Sequence, residues 1–250
     1  MANTSEVPHH RTPAWAFLAG AIILGLGLAG AGFLTGRGFE RGRSADRYVT
    51  VKGLAESFVT ADLAVWPLRI IATGDDLARV QEQIDRDLAT VTAFLTEQEI
   101  EPEAIQPQRV EVTDLLAQSY RPEGIGDNRF IVAQTIIVRT EQVERVARVN
   151  RQTGELVKRG VVLADTGGPT YLFTRLNEIK PEMLAAATRN ARLSAEQFAA
   201  DSGSAIAEIR RASQGLFEIL PRDPAPGLME ANQVDKKIRV VSTVEYRLGR

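Results

Sequence analysis

The first pattern in the chain is a long apolar stretch near its N-terminus. Over residues 12–36 no side chain is charged, an amide or an imidazole. A helix rises about 1.5 Å per residue, so residues 13–34 would reach roughly 33 Å, enough to cross a hydrocarbon core of about 30 Å. The pattern predicts a transmembrane anchor over residues 13–36, between a short tail, 1–12, and a basic juxtamembrane linker, 37–47.

Beyond the linker the apolar positions first alternate as in strands and then recur as in a helix. Residues 48–53 and 61–70 favour strand. Pro67 in the second run suggests an edge position or a bulge, because proline cannot donate to the ladder. From Asp75 the apolar spacing becomes three or four residues, which predicts a helix with an acidic start. Its stripe comprises Leu77, Val80, Ile84, Leu88, Val91 and Leu95.

The middle of the chain predicts two more strands and a second helix. Residues 108–116 and 130–140 are rich in β-branched side chains, and a turn-rich loop at 121–128 lies between them. A helix is predicted over residues 142–158, ended by Gly160. Its inward side chains are predicted to be Val143, Val146 and Val157.

The C-terminal part predicts short extended pieces, a third helix and two long strands. The extended pieces are residues 161–164 and 171–174. The helix is predicted to open at Pro181, which suits the first helical position, and to end at Gly203. Its predicted inner face is mostly small and comprises Met183, Leu184, Ala187, Ala191, Ala195 and Phe198. The strands are predicted at residues 205–219 and 234–248, the last with Ile238, Val240, Ser242, Val244 and Tyr246 alternating.

Together these elements predict an α/β fold of the α+β type. Mainly antiparallel sheets would be backed by helices, with recurring helix-plus-hairpin units, after one N-terminal transmembrane helix. The folded domain would comprise residues 48–250, a length that can bury a substantial core.

Composition narrows the chemistry that this domain can perform. Residues 48–250 contain 25 basic and 29 acidic side chains, with no cysteine and no histidine. The commonest nucleophile, the commonest general base and the usual zinc ligands are therefore missing. A net charge of −4 without a concentrated basic face argues against nucleic acid as a partner.

The apolar stretch is also too long for a secretory signal, which favours a retained anchor, although residues 28–31 could mimic a processing site. Ala21, Gly25 and Ala29 recur every fourth residue, a spacing that allows two helix backbones to approach closely and that also arises by chance in glycine- and alanine-rich spans. They are candidates for self-association within the membrane.

Candidate catalytic and ligand groups each have a simpler structural explanation. Asp75 and Asp76 suit a helix start better than a cation site. Paired carboxylates can perform acid/base chemistry, but solvated charge beside a helix end is the better explanation of this acidic run: Glu97, Glu99, Glu101 and Glu103. Residues 202–204 and Lys180 form no serine–lysine motif, and residues 166–169 predict a turn rather than a nucleotide-binding loop. We predict no catalytic residue, no cofactor and no metal.

One extended segment could present a contact surface. Tyr171, Phe173 and Arg175 alternate with the residues between them, and an aromatic–arginine surface could contact a peptide, a glycan or a neighbouring subunit. Core packing of the two aromatic rings, with Asn177 as a helix cap, is the simpler interpretation and is favoured over a contact surface. Trp66 and Phe58 are interpreted as packing residues.

Five segments resemble proteins of the SIMPL-domain family. They are residues 47–56, 61–68, 171–181, 187–192 and 236–241. The family includes periplasmic and surface-associated immunogenic proteins of Gram-negative bacteria. The resemblance implies an exported α/β domain that forms ring-like homo-oligomers and is linked to oxidative stress and envelope maintenance. No catalytic motif is established for the family, so none is carried over.

The resulting hypothesis is a non-enzymatic, membrane-anchored SIMPL-domain protein whose partners are other copies of itself and the bilayer, contacted through residues 13–36. A single-pass inner-membrane protein with its domain in the periplasm is expected from the resemblance. The count of arginines on either side of the span opposes that orientation. A periplasmic small-ligand or peptide-binding module is the alternative, and a carboxylate- or serine-dependent hydrolase is the third hypothesis.

Overall fold

A computed structural model describes residues 14–44, 47–118, 128–164 and 166–249, with the side chains of the first helix described for residues 21–37. The predicted tail, 1–12, and nearly all of the predicted loop at 121–128 lie outside these residues. The chain divides into two compact units. One comprises residues 1–51, 193–212 and 244–250, and the other comprises 52–192 and 213–243.

The first element is helix α1, Ala14–Ser44. Every side chain described in it, from Ala21 to Arg37, is exposed. The large apolar ones are 58–71% exposed and comprise Ile22, Ile23, Leu24, Leu26, Leu28, Phe33 and Leu34. Among the residues that the structure describes, no helix combines the length and the apolarity needed to cross a membrane.

A five-stranded sheet forms the centre of the larger unit. Its strands are β2 (Leu63–Gly74), β3 (Ile105–Asp114), β4 (Phe130–Thr140), β5 (Leu163–Ala164) and β6 (Thr170–Leu172). The order is β3-β4-β2-β5, β6 also pairs with β2, and all these pairs are antiparallel. The predicted strands at 61–70, 108–116 and 130–140 are confirmed, the last with its bounds unchanged.

Helix α2, Leu77–Glu97, covers one face of this sheet. Asp76 caps it by accepting hydrogen bonds from the N–H groups of Ala78 and Arg79, which satisfies donors that the helix leaves free. The predicted stripe is confirmed for Val80, Ile84, Val91 and Leu95, which are buried. Trp66, Ile70, Phe94, Val132 and Ile136 belong to the same core, in which each large apolar side chain contributes about 1.5–3 kcal/mol on burial.

Pro67 does not lie on an edge strand, because β2 has neighbours on both sides. On one side it is opposite Ile137 of β4. On the other it falls between the segments paired with β6 and β5, and its carbonyl accepts a 2.6 Å hydrogen bond from the Thr166 hydroxyl. A residue's N–H and C=O point to the same side in an antiparallel strand, so the missing donor falls in this gap.

The predicted helix at 142–158 is two helices, α3 (Val143–Asn150) and α4 (Gly154–Lys158). A tight turn separates them, in which Gln152 N–H donates to Val149 O at 2.8 Å. This break changes the inward face, so Leu156 is buried and Val157, predicted to be inward, is 61% exposed. The predicted end at Gly160 is consistent with its φ of +90°, where glycine carries no steric penalty.

A second, four-stranded sheet contains β1 (Tyr48–Thr60), β7 (Ala205–Gln214), β8 (Glu218–Pro221) and β9 (Asp235–Gly249). Its order is β1-β9-β7, and β8 also pairs with β9. The predicted alternation in β9 is confirmed, since Ile238, Val240, Ser242, Val244 and Tyr246 are all buried. Lys236, on the same side of β9, is fully buried and donates to the backbone carbonyl and the carboxylate of Glu230.

Helix α5, Leu176–Asp201, begins five residues before the predicted start and contains Pro181 internally. Leu176 and Ile179 pack against the buried cluster that contains Met183, and this burial extends the helix despite the bond to Asn177 O that a proline cannot make. Most of the predicted small inner face is confirmed: Ala187, Ala191 and Ala195 are buried. Phe198 was predicted to be inward and is 61% exposed.

The small residues of α5 allow a very close approach to β1. A Cβ atom placed on Gly53 would lie 1.9 Å from Ala187 O and 2.4 Å from the Ala191 nitrogen.

The structure is α+β, with antiparallel sheets and helices, as predicted. The recurrence of helix-plus-hairpin units stays a prediction.

Candidate functional site

An open cleft lies where three segments of the larger unit converge. It has a volume of about 610 Å³ and is lined by the β1–β2 turn, the end of β4 and the β6–α5 connection. The lining residues are Thr60, Ala61, Asp62, Leu63, Arg139, Glu141, Thr174 and Arg175. Its size falls within the range of small-ligand sites, about 300–1,000 Å³.

Asp62 fixes one wall of this cleft. Its carboxylate accepts hydrogen bonds from the Thr174 N–H at 2.9 Å and the Thr174 hydroxyl at 2.8 Å. It also accepts from the Arg175 N–H and from Arg175 Nε, both at 3.2 Å. Since the Asp62 side chain is only 12% exposed, these bonds hold the segment before α5 firmly against the β1–β2 turn.

The same contacts set the pKa of Asp62. Burial alone would raise the pKa of this carboxyl, but the hydrogen bonds from Thr174 and Arg175 together outweigh burial and hold the pKa below its ordinary value. Asp62 is therefore an ionised, fully engaged acceptor at neutral pH.

Arg139 and Glu141 supply the other charges of the cleft. Arg139 is opposite Val65 in the β2–β4 register, and Glu141 follows two residues later, just beyond the end of β4. Both side chains are exposed. Composition and spacing do not single out either residue, because only strand pairing brings them to the cleft.

The predicted contact residues have different environments. Tyr171 is buried in the core beneath α2, and Phe173 packs on the separate cluster that contains Met183. Arg175 is exposed and lines the cleft. Asn177, the proposed cap, lies within α5 and accepts a 2.7 Å hydrogen bond from Lys180 Nζ. Whether this segment contacts a partner stays a prediction.

The small residues proposed for self-association, Ala21, Gly25 and Ala29, are exposed on α1, and nothing lies within 4 Å of a Cβ placed on Gly25. Their association with another helix stays a prediction. Phe58, interpreted as a packing residue, is 66% exposed, whereas Trp66 is buried in the core.

The acidic run after α2 forms separate pairs rather than a pair of facing carboxylates. Glu97 binds Arg159 at 2.7 Å, and this hydrogen bond holds the pKa of Glu97 below its ordinary value. Glu99 binds Arg145 at 2.9 Å. Glu101 accepts from the Gln142 side chain at 3.0 Å. These contacts are surface ion pairs and hydrogen bonds of modest individual strength.

Other candidate groups also have local structural partners. The Ser202 hydroxyl donates to Ala199 O near the end of α5, and residues 166–169 contain Gly167 and Gly168 at positive φ, as a turn requires. Throughout the described ranges, no three histidine, cysteine, aspartate or glutamate side chains group closely enough to hold a metal ion.

The fold defines the chain as an α+β protein of antiparallel sheets and helices. Residues 49–246 match SIMPL, a family described as a protein of unknown function (DUF541). Because the match covers most of the chain, the protein belongs to the SIMPL family. No curated protein matches it.

Proposed function

We propose that this chain is a non-enzymatic SIMPL-domain protein of the cell envelope, held in the inner membrane by α1 and acting through association with other copies of itself. Its domain would lie in the periplasm and support envelope integrity or tolerance of oxidative stress. The exposed apolar surface of α1 is the observation that carries the anchoring part of the proposal.

The exposed side chains of α1 favour a lipid surrounding. In water, each large apolar side chain left exposed forgoes about 1.5–3 kcal/mol of burial free energy, and α1 has seven of them between Ile22 and Leu34. Arg37 lies over the Phe33 ring at 4.6 Å, an arrangement suited to the boundary between hydrocarbon and headgroups.

Two features support self-association. The small residues Ala21, Gly25 and Ala29 lie along one side of α1 and would permit close helix packing in a bilayer. In the larger unit, Leu54 and Phe58 are four residues apart on the outer face of β1 and are 42% and 66% exposed. Exposed apolar side chains that share one face are typical of protein contact surfaces.

The assignment as a non-enzyme rests on the hydrogen bonds and ion pairs that the candidate catalytic carboxylates make. Asp62 and the glutamates after α2 are engaged by arginines, amides or hydroxyls, which leaves them without the facing geometry of a general acid and base. Turnover that a single carboxylate substitution abolishes would favour the hydrolase hypothesis instead.

Two measurements test the proposal. Reporter fusions at Arg250, one active only outside the cytoplasm and one active only inside, should give signal from the first. A strong cytoplasmic signal would agree with the arginine count and overturn the periplasmic assignment. Light scattering of the full chain in detergent should show a species several times the 27.3 kDa of one chain. A monomer at every concentration would contradict self-association and favour the binding-module alternative.

A further inference from the structure

The cleft in the larger unit contains two charged side chains that no contact within the described part of the chain neutralises. Arg139 and Glu141 both line it, and among the residues that the structure describes neither side chain has a hydrogen bond or an ion pair. Arg139 is the last residue but one of β4, and Glu141 lies in the bend directly after the strand. The cation and the anion therefore line the same cleft two positions apart in the chain, and within the described part of the structure they do not pair with each other.

Arg175 adds a fixed donor to the same cleft. Its Nε atom is held by Asp62 at 3.2 Å, and its two terminal nitrogens have no hydrogen-bond partner within the described part of the chain. Because Asp62 also holds the Arg175 and Thr174 backbone, the guanidinium is oriented before any ligand arrives. Such pre-organisation reduces the ordering cost of binding.

The arrangement of these charges selects a class of ligand. A carboxylate suits the arginine donors, whereas an ammonium group suits the Glu141 carboxylate. A ligand that is only anionic would be repelled by Glu141, and one that is only cationic would be repelled by the arginines. A molecule that carries both groups satisfies the cleft.

We propose that this cleft binds a small zwitterion, an amino acid or a short peptide with free termini. Its carboxylate would lie at Arg139 and Arg175, and its ammonium group at Glu141. The volume of about 610 Å³ accommodates a molecule of dipeptide size. This binding depends neither on membrane anchoring nor on self-association.

Calorimetric titration of the full chain in a non-ionic detergent tests the charge requirement. The probes are alanyl-alanine, which has both charges, N-acetylalanine, which has only the carboxylate, and alaninamide, which has only the ammonium group. We expect alanyl-alanine to bind at least tenfold more tightly than either singly charged compound. Absence of binding up to 20 mM alanyl-alanine, or equal binding of N-acetylalanine, would overturn the proposal.

Substitutions then assign the two ends of the ligand. Arg139→Gln should weaken alanyl-alanine at least tenfold, and Glu141→Gln should remove its advantage over N-acetylalanine. Arg109→Gln and Glu103→Gln, at exposed positions outside the cleft, are matched controls that should leave binding unchanged. Arg175 is left intact because its substitution would also disturb Asp62. Equal effects of the cleft and control substitutions would show that binding is non-specific and contradict the proposal. Light scattering of the same variants separates this result from failure of self-association.

Discussion

Gly53 is the position at which one added methyl group should matter most. A Cβ atom there would overlap the backbone of α5, 1.9 Å from Ala187 O, and a backbone cannot move aside as a flexible side chain can. We expect Gly53→Ala to lower the free energy of unfolding by about 3 kcal/mol or more, since overpacking of this kind is at the upper end of its usual cost. Denaturant unfolding of the full chain in detergent measures the change.

Gly154, at the start of α4, provides the control for that substitution. Nothing lies within 4 Å of a Cβ placed there. Gly154→Ala should be neutral or stabilise the protein by up to about 1 kcal/mol, because alanine restricts the unfolded chain. A Gly53→Ala protein as stable as wild type would mean that β1 and α5 are not packed this closely.

Asp87 is a buried carboxyl on α2 whose titration should affect stability. Burial raises its pKa, although a 2.7 Å hydrogen bond from Gln83 and the charge of Arg86 oppose this effect. Because the folded-state pKa lies above the unfolded value, this group's favourable contribution is complete at low pH and is lost as pH rises through the folded pKa. Asp87→Asn should therefore stabilise the protein at pH 7 by about 1 kcal/mol, with the advantage vanishing near pH 3.

The same helix offers a matched control for Asp87. Exposed Asp85 accepts a hydrogen bond from Gln81 with the same four-residue spacing. Thermal unfolding between pH 3 and 7 should show little change for Asp85→Asn. An Asp87→Asn advantage that is the same at pH 3 and pH 7 would rule out charge burial as the cause.

Asp62 should show the opposite dependence on pH. Burial acts to raise its pKa, but the hydrogen bonds from Thr174 and Arg175 prevail and lower it, so its contribution is present above the unfolded pKa and is lost as pH falls through the folded pKa. Asp62→Asn should destabilise the protein at pH 7 by about 1–3 kcal/mol, and less at pH 3. Asp75→Asn, at an exposed position, serves as the comparison in the same thermal unfolding series.

At the scale of elements, local patterns correctly predict the helices and strands that carry their apolar side chains on one face. The stripe of α2 and the alternation of β9 are of this kind, because each places nearly all its apolar residues on one face. The predicted start of α5 is too late, since the packing of Leu176 against the cluster that contains Met183 outweighs the helix-start preference of Pro181. The gap that accommodates Pro67 depends on where β5 and β6 end, which spacing along β2 cannot reveal.

The cleft likewise depends on tertiary contacts that local sequence patterns do not reveal. The β4 sequence contained Arg139, but its place in a site depends on antiparallel pairing with β2 and on the Asp62 contacts to Thr174 and Arg175. Only Arg175 among the cleft residues is singled out by the sequence, on the basis of two neighbouring aromatic residues. Of these, Tyr171 is buried in one cluster and Phe173 packs, partly buried, against another.

Charged substitutions in helix α1 should weaken its proposed association with the membrane. The combined substitutions Leu24→Lys and Leu28→Lys place two charges on one side of the apolar stretch, each of which costs about 2.5–3.5 kcal/mol at the centre of a membrane helix. We expect much of the protein to leave the membrane fraction after alkaline carbonate extraction. Leu216→Lys, at a position that is 86% exposed in the larger unit, should remain in that fraction. Retention of the α1 variant would contradict anchoring by this helix.

At the scale of the whole molecule, the outer face of β1 is the surface on which self-association can be tested. Phe58 is exposed, with Arg222 5.6 Å from the centre of its ring. Phe58→Asp should shift the light-scattering mass in detergent towards that of one chain, because it replaces apolar contact area with a carboxylate that is costly to desolvate at an interface. Leu216→Asp is the control, and an unchanged mass for Phe58→Asp would exclude this face from the contact.

The length of α1 has a consequence for where partners can be met. Its 31 residues extend about 46 Å, close to the full thickness of a bilayer with its headgroups, and Tyr48 opens the first strand four residues after the helix ends at Ser44. If α1 lies in the bilayer as proposed, only residues 45–47 separate it from the first strand, so this short connection keeps the domain near the lipid surface. Encounters would be confined to a thin layer at the membrane surface, and this two-dimensional crowding raises the effective concentration of weakly interacting copies.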